Sequence, residues 1–205
     1  MKVIVKKGAI QSTLRLGQWV LGGAAVCLLG YCGFALADTR IFQNRENRLL
    51  ERLLRDRQAV SAVSLTKAGH PLPAMFDGLI GRIDIPRLGV SVIVIEGVGG
   101  RTLRRAVGHI PGTALPGQAG NVGISGHRDT FFRPLRNIRR NDIITLTTLV
   151  SEYRYRVIST KIVSPNDVTV LDQNENEILT LVTCYPFYFV GSAPNRFIVR
   201  AERVI

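Results

Sequence analysis

The amino-acid sequence predicts an all-β domain, a barrel or a sandwich, that follows one N-terminal transmembrane helix. Short β-branched segments recur along residues 76–205 with Gly and Pro turns between them. No long helical pattern alternates with these segments, which disfavours a doubly wound parallel sheet. Ahead of them, residues 16–37 form an apolar stretch without one charged side chain, which is typical of a membrane span.

The composition limits the classes of protein to which the chain can belong. Its 205 residues are 46% hydrophobic, enough for one medium domain with an appendage and too apolar for wholesale disorder. Three cysteines without a C-x-x-C pair exclude a disulfide framework and a zinc ribbon. The net charge of +12 is typical of a protein with an anionic neighbour, such as a membrane face or an envelope polymer, and the alternative is a merely solvated basic surface. Nucleic acid is disfavoured by the predicted export and by the scattered basic residues, which lack interleaved aromatic stacking sites.

The apolar stretch predicts a single-pass membrane anchor. As a helix, the 22 residues Leu16–Ala37 would span about 33 Å, against about 30 Å for the hydrocarbon core. Residues 1–15 carry basic side chains and no acid, which predicts a cytoplasmic N-terminus and an extracytoplasmic domain at the cell membrane. A cleaved signal peptide is the alternative, because Ala35-Leu-Ala37 has the form of a cleavage site. The length of the stretch favours an uncleaved anchor.

The segment after the anchor predicts an amphipathic helix and then a linker. Leucines recur at helical spacing among Arg and Glu in residues 44–60, as in a stalk or a helix packed on its own domain. Residues 61–75 are small, polar and proline-containing, which is typical of a linker. We therefore expect four parts: a basic N-terminus (1–15), an anchor (16–37), a helix with linker (38–75) and a β domain (76–205).

The β domain contains seven segments with a strand pattern. They are residues 80–85, 90–95, 121–125, 142–147, 152–157, 178–183 and 197–201. Short helical turns are expected near residues 101–107 and 131–139.

Cys184 is the only cysteine of the predicted β domain, so it has no partner there for a disulfide. It ends an apolar strand that Tyr185-Pro186 terminates, and strand ends commonly carry chemistry. Another strand begins at Arg196. If the two strands pair antiparallel, Cys184 and Arg196 lie side by side, and the guanidinium reaches a substrate held at the sulfur. The alternatives are a small buried hydrophobe at Cys184 and a plain surface charge at Arg196.

A thiol nucleophile needs a partner for its proton, and the β domain offers two histidines. His127 follows a strand in the segment GISGHRD, whereas His109 lies in a turn-rich loop. We therefore favour His127 as the acid and base beside Cys184, with Arg196 as the oxyanion stabiliser. No H-E-x-x-H or paired-histidine spacing predicts a metal, and Asp129 is interpreted as a turn or orienting residue. No cofactor is expected.

Three segments together resemble the sortases, a family of membrane-anchored bacterial cysteine transpeptidases. Thr180-Leu-Val-Thr-Cys184 resembles their T-L-x-T-C signature, Asn121 to Asp129 their histidine segment, and Arg196 to Ala201 their arginine strand. The stretch CYPFYFVGSAPNRFIV is most similar to class D, and residues 38–78 lack the lid motif of class C. The resemblance covers nearly all of residues 78–205 and implies a closed β-barrel of about eight strands with short helices.

The resemblance also implies a mechanism and partners. Cys184 would attack a secreted protein between Thr and Gly of a C-terminal LPxTG-like sorting signal and form a thioacyl-enzyme. His127 would transfer the protons, Arg196 would position the substrate and stabilise the oxyanion, and Thr183 would help to hold the substrate. An amine acceptor, such as a cell-wall precursor, would resolve the thioester. Two alternatives stay open: a membrane-tethered thiol peptidase, and a non-enzymatic basic β-barrel module that binds envelope polyanions.

Overall fold

The structure, a computed structural model, describes residues 7–63, 78–173 and 175–204. It contains two α-helices, α1 (Lys7–Val63) and α2 (Gly100–Arg105). The strands are β1 (Leu79–Ile85), β2 (Val90–Glu96), β3 (Val107–His109), β4 (Gly120–Ser125), β5 (Ile143–Thr148), β6 (Glu152–Val163), β7 (Glu177–Tyr185) and β8 (Asn195–Val204). Short 3-10 helices lie at Pro86–Leu88, Arg133–Asn137 and Thr169–Leu171.

These strands form a closed barrel in the order β1-β2-β3-β4-β7-β8-β6-β5, and β5 pairs with β1 to close it. The β2/β3 and β4/β7 pairs are parallel, and the other pairs are antiparallel. The predicted closed barrel of about eight strands with short helices is confirmed. Closure satisfies strand edges that would otherwise be free to pair with another chain.

Apolar side chains at alternate strand positions fill the barrel, as the two-residue period of a strand requires. On β7, Leu179 and Leu181 are fully buried and pack in one cluster with Ile83, Ile124 and Val199. Thr180, between them, has the opposite parity on the strand and is also buried, where its hydroxyl donates to Asn121 Oδ1 at 2.7 Å. Cys184 has the parity of Thr180 and not that of the leucines, so the alternation places the thiol on the outer face of the barrel wall.

Three strands differ clearly from the sequence expectation. Strand β8 runs from Asn195 to Val204, beyond both ends of the predicted segment 197–201. Strand β3 (Val107–His109) was not predicted, because three residues are too few to show a pattern. Strand β6 extends to Val163, beyond the predicted end at residue 157, because β8 pairs with it along that length. Helix α2 overlaps the helical turn predicted near residues 101–107, and the 3-10 helix Arg133–Asn137 lies within the one predicted near residues 131–139.

Helix α1 covers both helices expected near the N-terminus, in 57 continuous residues. It is long and apolar enough to cross a membrane, and is therefore a candidate membrane span. Large apolar side chains such as Leu16, Trp19 and Phe34 are exposed along it. A bilayer would cover them. The predicted linker (61–75) lies largely outside the described residues, as does His70.

The chain divides into two compact units, of which the first ends at Ile41 and the second begins at Phe42. Within the second unit, α1 packs on the outside of the barrel. Leu50 is fully buried and contacts a small cluster formed by Leu79, Ile93 and Ala106. This part of α1 therefore packs on its own domain, one of the two roles expected for the amphipathic segment.

The Gln43 side chain completes the backbone hydrogen bonding of β2. The Ile93 N–H donates to Gln43 Oε1 at 3.0 Å, and Gln43 Nε2 donates to the carbonyl oxygen of Arg105. Strand β3 is too short to reach Ile93, because its pairing with β2 begins at Val94 and Val107. Gln43 thus takes the place that a longer β3 would occupy.

Candidate active site

Cys184 and Arg196 are direct partners in the antiparallel ladder between β7 and β8. Residues that face each other in such a ladder project from the same side of the sheet. Both side chains are half-buried at the strand ends, and the thiol of Cys184 is free. The pairing predicted from the sequence is therefore present, and it brings a thiol and a guanidinium to one patch of the outer wall.

His127 follows β4, the strand on the other side of β7 from β8. Strand β4 runs parallel to β7 with Ser125 opposite Val182, and the Gly126 N–H continues the ladder by donating to Val182 O at 3.1 Å. This ladder ends one residue before His127 on one chain segment and two residues before Cys184 on the other. The backbone then turns, because the carbonyl of His127 accepts a hydrogen bond from the Phe132 N–H at 3.1 Å. The three predicted side chains thus lie at or just beyond the ends of three neighbouring strands, β4, β7 and β8.

Gly126 allows the chain to reach His127 along this path. A Cβ at this position would lie 2.7 Å from Cδ2 of the Phe132 ring and 2.9 Å from Cγ1 of Val107. Phe132 is fully buried and belongs to the core, so it has little room to move. The close packing around Gly126 therefore fixes where the following residue, His127, lies.

Thr183 occupies a different environment from its neighbour Cys184. Its side chain is 2% exposed, and its hydroxyl donates a 2.7 Å hydrogen bond to the carbonyl oxygen of Gly126. It has the inward parity of Leu181 on β7. The hydroxyl has used its only proton on this bond and is almost wholly buried, so it could meet a substrate, which the sequence analysis expects it to help to hold, only as an acceptor. The bond instead connects β7 to the residue before His127.

One nitrogen of the Arg196 guanidinium is held by backbone carbonyls at the start of β8. Its Nη1 donates to the carbonyl of Ala193 at 3.3 Å and to that of Asn195 at 3.0 Å. Within the part of the chain that the structure describes, Arg196 makes no ion pair. Its positive charge is therefore not neutralised by a protein carboxylate and can act on a bound carbonyl or oxyanion.

Arg128 is a residue of this site that the sequence analysis did not single out. Its Nη1 donates to Pro186 O at 3.0 Å, and its Nη2 donates to Phe189 O at 2.6 Å and to Gly191 O at 2.9 Å. The guanidinium also lies over the Phe189 ring, 5.9 Å from its centroid. Arg128 therefore joins the segment that carries His127 to the loop that separates Cys184 from Arg196. Its position directly after the candidate histidine was the one signal available in the sequence.

An aromatic cluster lies under the strand ends that carry Cys184 and Arg196. The Tyr185 and Phe197 rings stack with centroids 6.2 Å apart, and Phe187 packs against Phe197 at 5.3 Å. Phe187 and Phe197 also contact the main core. The cluster therefore packs both ends of the β7–β8 loop against the core.

The ring of His109, the second histidine of the β domain, contacts polar groups away from Cys184 and Arg196. It is 2% exposed, its Nδ1 lies 2.7 Å from Glu96 Oε2, and its Nε2 lies 2.9 Å from Ala114 O. Both ring nitrogens are thus occupied within the domain. Among the described residues, no group of three or more His, Cys, Asp or Glu side chains could hold a metal ion.

Comparison with known proteins places the chain in one family. A family model described as the sortase domain matches residues 83–204. Over 186 residues the chain is 31% identical to sortase D of Bacillus subtilis (strain 168), covering 88% of this chain and 94% of that protein. It is 30% identical to sortase A of Listeria monocytogenes over 112 residues, which are 53% of this chain and 50% of that protein.

Solved structures give the same result. A sortase D5 transpeptidase from Clostridium perfringens matches with a TM-score of 0.61 at 28% identity, over 77% of this chain and 95% of that one. Sortase C-1 from Actinomyces oris matches with a TM-score of 0.60 at 26% identity, over 76% and 99% of the two chains. These matches count against the non-enzymatic binding module left open by the sequence. The chain belongs to the sortase family of cysteine transpeptidases, and its match to a sortase D supports the predicted class D.

Proposed function

We propose that this sortase cleaves an LPxTG-like sorting signal between Thr and Gly and transfers the new carboxyl end to an amine of the cell envelope. In this proposal Cys184 is the nucleophile, His127 moves the protons, and Arg196 binds the substrate carbonyl. The observation that carries it is the register of β7 and β8, which makes Cys184 and Arg196 direct partners beside the end of β4. The substrates would be secreted proteins with such a signal at their C-terminus.

The first half of the reaction forms a thioester. The Cys184 thiol gives its proton to the His127 imidazole, and the sulfur attacks the carbonyl carbon of the Thr residue in the signal. The unneutralised guanidinium of Arg196 stabilises the oxyanion that develops on the carbonyl oxygen. The C–N bond to Gly then breaks, and the leaving amine takes the proton from His127. The product is a thioacyl-enzyme at Cys184.

The second half repeats these steps in reverse order with a new amine. The acceptor nitrogen attacks the thioester carbon and loses a proton to His127, the C–S bond breaks, and the sulfur of Cys184 recovers the proton. A cell-wall precursor that bears a primary amine is the acceptor we propose. Water in its place would make the enzyme a thiol peptidase.

Thr183 supports substrate binding indirectly in this scheme. Its buried hydroxyl holds the carbonyl of Gly126 at 2.7 Å, and Gly126 precedes His127. A bond of this kind maintains the distance between the histidine segment and the β7 end that carries Cys184. We therefore treat Thr183 as a positioning residue.

We further propose that α1 anchors the enzyme in the cell membrane with the N-terminus in the cytoplasm and the barrel outside. The uncharged stretch Leu16–Ala37 and the acid-free basic residues before it support this orientation. Resistance of the full-length chain to alkaline carbonate extraction would test the anchor. Digestion of the barrel by protease in right-side-out but not in inside-out vesicles would test the orientation.

The reaction is tested by incubating the full-length chain in detergent with an LPxTG-type peptide and measuring its intact mass. We expect an added acyl mass in wild type and none in Cys184→Ala. The chain offers a matched control, because Cys27→Ala and Cys32→Ala remove the other two thiols, which lie in the apolar stretch. These two variants should still form the adduct.

Addition of a primary amine then distinguishes transfer from hydrolysis. A sortase releases a peptide joined to the amine, whereas a thiol peptidase releases the free acid. An adduct that persists in Cys184→Ala would refute the assignment of the nucleophile. If no adduct forms although Cys184 reacts with an alkylating reagent, the proposed signal sequence is wrong.

A further inference from the structure

Three consecutive apolar side chains project into solvent from the loop between β7 and β8. Tyr188 is 76% exposed, Phe189 46% and Val190 94%, and we call these three residues the apolar tip. Within residues 78–173 and 175–204, every other exposed large apolar side chain is isolated in the sequence. A run of this kind is unusual on a soluble surface and marks a contact with another apolar phase.

Hydrogen bonds to the loop backbone hold the apolar tip in its exposed position. Arg128 holds the carbonyls of Pro186, Phe189 and Gly191 with three hydrogen bonds, so the backbone on both sides of the tip is tied to the barrel. The backbone carbonyls are thereby satisfied while the side chains of Tyr188 and Val190 are left outside. Because the loop is already held in place, it would lose little conformational entropy on binding.

A basic segment lies beside the apolar tip. Residues 133–140 contain four arginines and no acid, and all four arginine side chains are exposed: Arg133, Arg136, Arg139 and Arg140. The guanidinium of Arg136 lies 5.5 Å from the centroid of the Tyr188 ring, which joins the two surfaces. Asp142, the next acid along the chain, is already paired with Arg87.

We propose that the apolar tip and the basic segment form a docking surface for an anionic lipid bilayer. Tyrosine, phenylalanine and valine side chains bury well at the boundary between headgroups and acyl chains. Arginines around them attract anionic headgroups, in line with the net charge of +12. A second copy of the chain would bring its own net charge of +12 to the four arginines, which opposes that contact.

Because the barrel is covalently joined to α1, the docking surface needs only a weak affinity for the bilayer to stay bound. Only residues 38–41 separate the uncharged stretch from Phe42, where the second unit begins. This inference rests on the proposed function in one respect, the membrane anchor. With that anchor in place, the bilayer is present at high effective concentration, and an affinity too weak to bind a free protein still holds the surface on the membrane.

Docking has a direct consequence for the reaction. The apolar tip lies in the loop that connects Cys184 to Arg196, so the contact would keep these side chains at the lipid surface. An acceptor amine carried by a membrane-borne precursor is presented at that surface. The proposed docking therefore favours acceptors attached to lipid over acceptors free in solution.

The test uses the full-length chain with a single tryptophan as a depth probe. Trp19, the only tryptophan, is changed to Phe, and Val190→Trp places the probe at the most exposed position of the tip. The matched control is Val168→Trp, an apolar position that is 66% exposed next to the 3-10 helix Thr169–Leu171. That helix contacts the start of β4, because Asn121 donates to Val170 O, so the control probe is at the opposite end of β4 from His127.

Each protein is reconstituted into vesicles of phosphatidylcholine with or without 30% phosphatidylglycerol, with lipids brominated near the headgroup as quenchers. We expect quenching and a blue shift at position 190 in anionic vesicles, and no such change at position 168. Arg133→Gln with Arg136→Gln, or 0.5 M salt, should reduce the quenching at least threefold. Each arginine near an anionic surface contributes about 1 kcal/mol, which corresponds to roughly a fivefold change in binding.

Three results would overturn the proposal. Equal quenching at positions 190 and 168 would mean that the tip does not select the membrane, and equal quenching with and without phosphatidylglycerol would remove the role of the arginines. A blue shift in detergent that grows with protein concentration would identify a second copy as the occupant. Carbonate extraction and the peptide adduct, measured on the same preparations, report separately on the anchor and on the chemistry.

Discussion

Replacing Arg128 by alanine tests whether the β7–β8 loop must be held for the reaction to proceed. The substitution removes three hydrogen bonds, from the guanidinium to the carbonyls of Pro186, Phe189 and Gly191. The loop joins the strand ends that carry Cys184 and Arg196, and Arg128 itself follows His127. The substitution therefore releases the β7–β8 loop from the segment that carries His127. The side chains of Cys184, His127 and Arg196 themselves are unchanged.

The expected magnitude follows from the number and kind of the bonds. A hydrogen bond with a charged partner contributes about 1.5–3 kcal/mol, and partial exposure places these three at the lower end. Because such contributions are not additive, we expect a total loss of about 3 kcal/mol. A change of about 1.4 kcal/mol is tenfold, so kcat/KM should fall roughly 100-fold. Arg128→Lys keeps the charge but lacks the planar fork, and should recover roughly tenfold.

The assay is the cleavage of a fluorogenic LPxTG-type peptide, with thermal unfolding measured on the same samples. Arg156→Ala, which removes an exposed arginine of β6, is the matched control and should stay within about twofold of wild type. The loss of about 3 kcal/mol falls on the held conformation of the loop, which can open while the barrel stays folded, so the Tm of Arg128→Ala should change little. A fall of less than threefold in kcat/KM, or a loss in Tm large enough to account for it, would refute the argument.

Three further substitutions test the packing behind the site and the pH dependence of the fold. Gly126→Ala puts a Cβ 2.7 Å from the Phe132 ring, so we expect at least a tenfold lower kcat/KM and a lower Tm, and unchanged values would contradict the packing argument. Thr183→Val removes a buried hydrogen bond and should lower the free energy of unfolding in urea by about 1–3 kcal/mol, together with kcat. Thr183→Ser is its control, and a rise in KM alone would instead indicate direct contact with the substrate. The hydrogen bond from Arg87 holds the pKa of the Asp142 carboxyl below its usual range. A carboxyl with a lowered folded pKa stabilises the fold above its unfolded pKa, so stability should fall as the pH drops below about 4. Asp142→Asn should lower the Tm near pH 7 and flatten this dependence in melts from pH 2 to 7, and parallel curves for the two proteins would disprove the linkage.

The arrangement of Cys184 and Arg196 is predictable from the sequence because it depends on local pattern. Both residues lie at the ends of strongly apolar strands, and the loop between them is short enough to make antiparallel pairing the simplest connection. His127 is predictable as a strand-end residue for the same reason. Its place beside β7 depends on a parallel pairing between strands far apart in the chain, and that pairing leaves no local signal.

Contacts made by side chains with distant backbone atoms escape a sequence analysis altogether. Arg128 binds carbonyls that are 58 to 63 residues away, and Gln43 binds backbone atoms that are 50 and 62 residues away. Every residue offers such a carbonyl, so no residue type marks the partner. Strand β3 escapes for a related reason, since its three residues owe their extended form to the neighbouring strands.

The contact between α1 and the barrel determines where the enzyme can be shortened. A fragment that begins after Val63 would leave the Ile93 N–H without the Gln43 amide and would uncover the apolar cluster that buries Leu50. An unpaired strand edge beside an apolar patch is a template for association between molecules. We expect such a fragment to elute from a sizing column as oligomers or aggregates, and a fragment that begins at Phe42 to elute as a monomer. Preparing a well-behaved soluble enzyme therefore requires the part of α1 that begins at Phe42 and packs on the barrel.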